Sequence, residues 1–123
     1  MTPTVYITNK SSTHDYSSAL RYGAMRFVTT GNYPIFKTAR LQEEIIEALI
    51  NSSPEDYLLL SGSSAVAAMC VLVWFQMHSV AKILLWDRTQ QVYVLRALDR
   101  STIRVEIESV KDRVQGGAGR MVR

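Results

Sequence analysis

The stretch YLLLSGSSAVAAMCVLVWFQMH, residues 57–78, decides the reading of this chain. Tyr57-Leu58-Leu59-Leu60 is a short continuous apolar run. That is the pattern of a strand covered on both faces, as in a parallel sheet. Ser61-Gly62-Ser63-Ser64 then leads straight into Ala65–His78, which is apolar nearly all round. Such a segment predicts a helix buried on more than one side. A strand passing directly into a helix is the unit of an α/β fold.

Working upstream, Leu41, Ile45 and Leu49 recur every four residues, with Ile46 and Ile50 beside them and Arg40, Glu43, Glu44 and Glu47 opposite. This predicts an amphipathic helix, entered at Pro34 and broken by Asn51–Asp56. Val5–Asn9 and Met25–Thr29 read as strands. Between them, Asp15 or Ser17 caps a short helix that Gly23 ends. Downstream, Val80–Trp86 and Gln91–Leu95 read as a hairpin about Asp87-Arg88-Thr89-Gln90. Ile103, Val105 and Ile107 alternate with Arg104, Glu106 and Glu108. That period of two predicts a sixth, half-exposed strand, and Gln115–Arg123 reads as a flexible tail. The expected fold is therefore a single α/β domain over residues 1–99, in the order β-α-β-α-β-α-β-β. It is a compact Rossmann-like or flavodoxin-like, mostly parallel sheet with an antiparallel edge hairpin. A basic C-terminal strand and Gly-rich tail follow over residues 100–123.

Composition narrows the classes. The 123 residues are 47% hydrophobic and 20% charged, values of a globular chain. One cysteine, Cys70, excludes an intrachain disulfide framework and a cysteine-rich zinc module. The longest apolar run, Ala65–Phe75, falls short of the about 20 residues a membrane span needs. The opening Met-Thr-Pro-Thr-Val-Tyr lacks a basic and apolar signal segment, so a cytoplasmic location is expected. The net charge of +3 resides wholly in residues 100–123, where six Lys/Arg face three Asp/Glu. The basic character belongs to the tail and not to the body.

Ligands of open parallel sheets bind beyond the carboxyl ends of the strands. Three polar segments fall there: Asn9–Asp15, Thr29-Thr30-Gly31-Asn32 and Ser61–Ser64. The free amides at the start of the Ala65–His78 helix favour an anion, and Gly62 would admit a phosphate close to the backbone. Lys10 offers a point charge, and His14 could titrate or donate to an oxyanion. The expected ligand site is thus Asn9, Lys10, Ser11, His14, Ser61, Gly62 and Ser63. The competing reading is simple helix capping by Ser63 or Ser64 and by Asp15. No dinucleotide glycine spacing and no Gly-Lys-Ser/Thr loop is present, so no cofactor is expected. Ser11 or Ser12 with His14 and Asp15 could be written as a triad, but adjacent loop residues rarely reach that geometry. No spacing resembles a metal site; His78 reads as a helix cap and Cys70 as a small hydrophobe.

The Ala65–His78 helix carries two apolar stripes, Val66, Cys70, Val73, Met77 and Ala67, Val71, Trp74. One stripe is expected to face a second subunit, which predicts a homo-oligomer. Arg113, Arg120 and Arg123 could contact nucleic acid or a partner chain, or be solvated. No aromatic residue follows Tyr93, which argues against stacking on single strands.

Finally, Val5-Tyr6-Ile7-Thr8-Asn9-Lys10-Ser11-Ser12-Thr13-His14-Asp15-Tyr16-Ser17-Ser18-Ala19 with Arg21-Tyr22-Gly23, Ser53–Gly62, and Leu84-Leu85-Trp86-Asp87 resemble small α/β proteins encoded by tailed bacteriophages. The resemblance spans residues 5–95 and transfers no activity. It implies a viral protein acting inside a bacterial cell. The expectation is a non-catalytic, oligomeric binding protein for a nucleotide-like, phosphate-bearing molecule. The alternatives are a structural or interaction module, in the virion or on a host protein, and a His14-dependent hydrolase.

Overall fold

The computed structural model describes residues 2–31 and 37–122, with the backbone alone for 117–122. Five strands form one mixed sheet: β1 (Thr4–Lys10), β2 (Ala24–Thr30), β3 (Tyr57–Leu59), β4 (Val80–Asp87) and β5 (Val92–Asp99). Their spatial order is β2-β1-β3-β4-β5. The first four are mutually parallel, and β5 runs antiparallel to β4. The α/β class and the edge hairpin thus agree with the sequence. Pro34 and Asn32 lie outside the described residues.

Two helices cover one face: α1 (Thr38–Leu49) and α2 (Ser64–Met77). Leu41, Ile45 and Leu49 of α1 and Val66, Cys70 and Trp74 of α2 are buried against Tyr6, Leu58, Ala81 and Ile83 of the sheet. Trp74 donates its indole N–H to the Val80 carbonyl at 3.0 Å, which satisfies the polar edge of a fully buried ring. The opposite face is covered by a short 3-10 helix, Ser17–Arg21, through Ala19 and the preceding Tyr16. They pack on Val5, Ile7, Leu59, Leu84 and Tyr93. Because β1 is covered on both faces, Val5 to Asn9 are all buried, apolar and polar alike.

The C-terminal region corrects the sequence reading. Residues Arg100–Val122 are a single helix, α3, and not a sixth strand with a free tail. Ile103 and Ile107 satisfy a period of two, but they are also four residues apart. Val110 and Val114 extend the helical series, while nothing extends the alternation beyond Glu108. The Asp99 carboxylate starts the helix by accepting the Ser101 and Thr102 amides at 2.8 and 3.3 Å. From Ser101 to Gln115 every residue of α3 is exposed. No helix among the described residues is long and apolar enough to cross a membrane.

Candidate functional site

Parallel pairing brings the ends of β1, β2 and β3 to one edge of the sheet, where the polar segments gather. Asn9, 5% exposed, is the hub. Its amide nitrogen donates to Thr29 Oγ1 at 2.9 Å and to the Gly31 carbonyl at 3.0 Å. Its Oδ1 accepts the Ser63 amide at 3.1 Å. One side chain thus ties the loops after β2 and β3 to β1. Gly62 lies at φ +73°, and a Cβ there would overlap the Asn9 carboxamide. The glycine is required by its neighbour as well as by its backbone.

Thr8 repeats the tie one residue earlier. Its Oγ1 donates to the Ser61 carbonyl and accepts the Ser61 amide, both at 2.9 Å. Ser61 Oγ shares a 2.6 Å hydrogen bond with the Tyr16 hydroxyl, which also accepts the Ser11 amide at 2.8 Å. Ser63 caps α2, its Oγ accepting the Val66 amide at 3.4 Å. The first turn of α2 therefore already has one protein acceptor.

His14 sits among aromatic rings. Its ring centroid is 4.7 Å from that of Tyr16 and 5.0 Å from that of Trp86. Its Nε2 shares a 2.6 Å hydrogen bond with the Tyr93 hydroxyl. Burial, then the nearby Tyr16 and Asp15, push the Tyr93 phenol up to about 12. Asp15 accepts the Ser17 amide at 2.9 Å, and that bond, with the Ser17 hydroxyl and His14, holds its carboxyl below the usual range. Asp15 binds the amide of the first residue of the short helix, whose N-cap position is Tyr16; its hydrogen bond is not made to the imidazole. Ser11 Oγ meets Thr13 Oγ1 at 3.2 Å. The conceivable triad thus has no assembled nucleophile–base pair.

Of the seven expected ligand residues, Asn9, Ser61 and Ser63 belong to one hydrogen-bonded knot, and Gly62 packs against the Asn9 side chain within it. Ser11 joins it by a hydrogen bond to Tyr16, and His14 by ring contact with Tyr16. Lys10 stands apart, exposed, with its ammonium 5.0 Å from the Phe27 ring centroid. Thr29 opens the second of the three polar segments, whereas Thr8, Tyr16 and Tyr93 are not among the expected ligand residues. Thr8 and Thr29 gave a signal, as polar residues inside β-rich runs; Tyr93 gave none, because its partner His14 is 79 positions away. An open cleft of about 500 Å³ flanks the knot, lined by Ser61, Gly62, Ser64, Ala67, Ala68 and Val71. Among the described residues, no buried side-chain nitrogen or oxygen lacks a partner, and no group of three His, Cys, Asp or Glu could hold a metal.

His78 follows α2 and shares a 2.8 Å hydrogen bond with Ser52 Oγ. It is the C-cap residue of α2, as expected, its amide donating to the Trp74 carbonyl at 2.9 Å, and burial lowers its pKa, with Asp56 opposing. Cys70 is fully buried, and burial pushes its thiol up to about 12, in keeping with a small hydrophobe. Arg113 is exposed on α3. Arg123 lies outside the described residues, as does the side chain of Arg120.

A further apolar surface is exposed on α3. Ile103, Ile107, Val110 and Val114 form one stripe, and all four are between 42% and 58% exposed. Together with Glu106, Lys111 and Gln115 they line a shallow apolar groove of about 430 Å³.

No curated protein and no solved structure matches this chain. The family model of the Phage Pam3 gp32-like proteins matches residues 3–99, from the residue before β1 to the last residue of β5, and leaves α3 outside. A match over that much of the chain places the protein in the Phage Pam3 gp32-like family, a family of small phage-encoded proteins.

Proposed function

We propose that this phage protein works without chemistry, as an interaction module in which an α/β platform displays α3 as its contact surface. The observation that carries the reading is the stripe Ile103, Ile107, Val110 and Val114, which nothing among the described residues covers. Contiguous uncovered apolar surface of this kind marks a contact site. The helix itself gives a second reason. It contains Gly116, Gly117 and Gly119 and many β-branched residues, a poor composition for a lone helix. Most helical stability in proteins comes from packing of an apolar face, so α3 gains from a partner. Phage origin points to the infected bacterial cell, or the virion assembled there, as the place of action.

The core supports the reading of a doubly wound, flavodoxin-like platform. Helical segments lie on both faces, and the strand order reverses between β1 and β3. Its edge network then has a mechanical role, holding three loops rigid at the end of the sheet opposite the one from which α3 leaves.

The test places a photocrosslinking residue at Val110 of the full chain in infected cells, with the hairpin position Arg88 as control. Adducts at 110 and not at 88 are expected. Adducts no more abundant at 110 than at 88 would overturn the reading.

A second reading, the phosphate-bearing ligand, is favoured by the cleft of about 500 Å³ beside the exposed Gly62 and Ser64. Native mass spectrometry of the purified chain tests it. A co-purifying phosphate-bearing adduct, lost in Ser64→Glu, would support it; a bare protein that ignores added nucleotides would remove it.

A further inference from the structure

The spacing along α3 identifies what covers the stripe. Ile103, Ile107, Val110 and Val114 are separated by four, three and four residues, the alternation of a heptad seam. Ile103 and Val110 take one seam position and Ile107 and Val114 the other. The positions flanking that seam are then Arg104 and Lys111 on one side and Glu106 and Arg113 on the other. In a parallel, in-register bundle the flanking residue of one chain meets the opposite flank of its neighbour five positions on. Glu106 thus meets Lys111 of the next copy, a pair of opposite charges. An antiparallel partner would set Glu106 against Arg113, an opposite pair, but also Arg104 against Lys111, two like charges that offset it. Lys111 is engaged within its own helix only by Glu108, at 4.0 Å and on the surface, which leaves it free to exchange partners.

We infer that α3 pairs with α3 of further copies of this chain, in parallel and in register, as a three-stranded bundle. β-branched residues occupy both seam positions from Ile103 to Val114, and that pattern favours three strands over two. Val105 falls on the outside of such a bundle and contributes nothing to the seam. This inference rests on the reading of α3 as the contact surface and names its occupant.

The test is sedimentation equilibrium of the full chain. Wild type is expected at about three times 13.9 kDa. Ile107→Asp is expected at the monomer mass, with the near-ultraviolet signal of the core tryptophans unchanged. Glu106→Lys and Lys111→Glu should each weaken assembly about tenfold or more, and the double exchange should restore it. Val114→Cys should cross-link copies on oxidation, because identical seam residues adjoin only in a parallel bundle. Four results would overturn the inference: a wild-type mass of one or two chains, a trimer that survives Ile107→Asp, a double exchange that fails to rescue, or no Val114→Cys cross-link. A monomeric wild type that still gives photoadducts at Val110 removes self-assembly and leaves the contact-surface reading standing. The absence of both removes both.

Discussion

Gly62 joins two requirements at one residue. Its φ of +73° favours glycine, and the space a Cβ would need holds the Asn9 carboxamide. Gly62→Ala should therefore cost about 2–4 kcal/mol, combining left-handed strain with displacement of a buried hydrogen-bonded amide. Urea unfolding checks this, and a loss below about 1 kcal/mol would mean that the loop rebuilds around the methyl group. Tyr93 makes an alkaline prediction. Its folded pKa, about 12, lies above the unfolded value of about 10. Its contribution is complete below pH 10 and is lost as pH rises toward 12. A Tyr93→Phe variant should lose less stability across that window than wild type, by unfolding at stepped pH. At this scale the candidate residues were legible, because Asn9, Ser61, Gly62 and Ser63 stand out as polar breaks after apolar strands. Their roles were not. Whether Asn9 faces a ligand or the Ser63 amide depends on which loop the sheet places beside it.

Among the elements, α1 and α2 were legible for different reasons. The four-residue recurrence of Leu41, Ile45 and Leu49 predicts both the α1 helix and its buried face, and those three are its buried residues. For α2 the apolar character extends all round, so only packing against α1 and the sheet selects Val66, Cys70 and Trp74 for the interior. Leu72, on the same helix, stays 61% exposed. α3 shows the limit of pattern reading. Ile103, Val105 and Ile107 fit either period, and the capping carboxylate that decides the matter belongs to Asp99, the last residue of β5. Asp99→Ala should weaken the start of α3 by about 1 kcal/mol. Amide exchange at Ser101 and Thr102 should speed up while exchange in α2 does not. Equal acceleration in both helices would show that Asp99 stabilises the domain and not the cap.

For the whole molecule, acid sensitivity follows from packing between elements distant in sequence. His78 shares a hydrogen bond with Ser52, and its ring centroid lies 4.9 Å from that of Trp74. Burial lowers its pKa below the ordinary value of 6.5. The unfolded chain therefore binds this proton more readily than the folded one. The stability it contributes is present above pH 6.5 and is lost as pH falls through the folded pKa. Denaturant titrations at about pH 7.5 and about pH 5.5 should show a smaller acid loss for His78→Asn than for wild type. Equal losses would assign the acid response to carboxylates.

The sequence by itself determined the α/β class, the strand–loop–helix passage at residues 57–78, the amphipathic α1 and the polar edge at the strand ends. These follow from local periodicity and turn chemistry, which act over a few residues. Only the tertiary structure decided that β1 lies between β2 and β3, and that the polar edge is knotted onto itself through Thr8, Asn9 and Tyr16. It also decided that residues 100–122 form an uncovered helix. The first two outcomes depend on contacts between residues 20 to 79 positions apart, and the third on whether any element packs over α3. No local pattern encodes them, because a polar side chain or an apolar stripe looks the same in sequence whether its partner is in the chain, in a second copy or in a ligand.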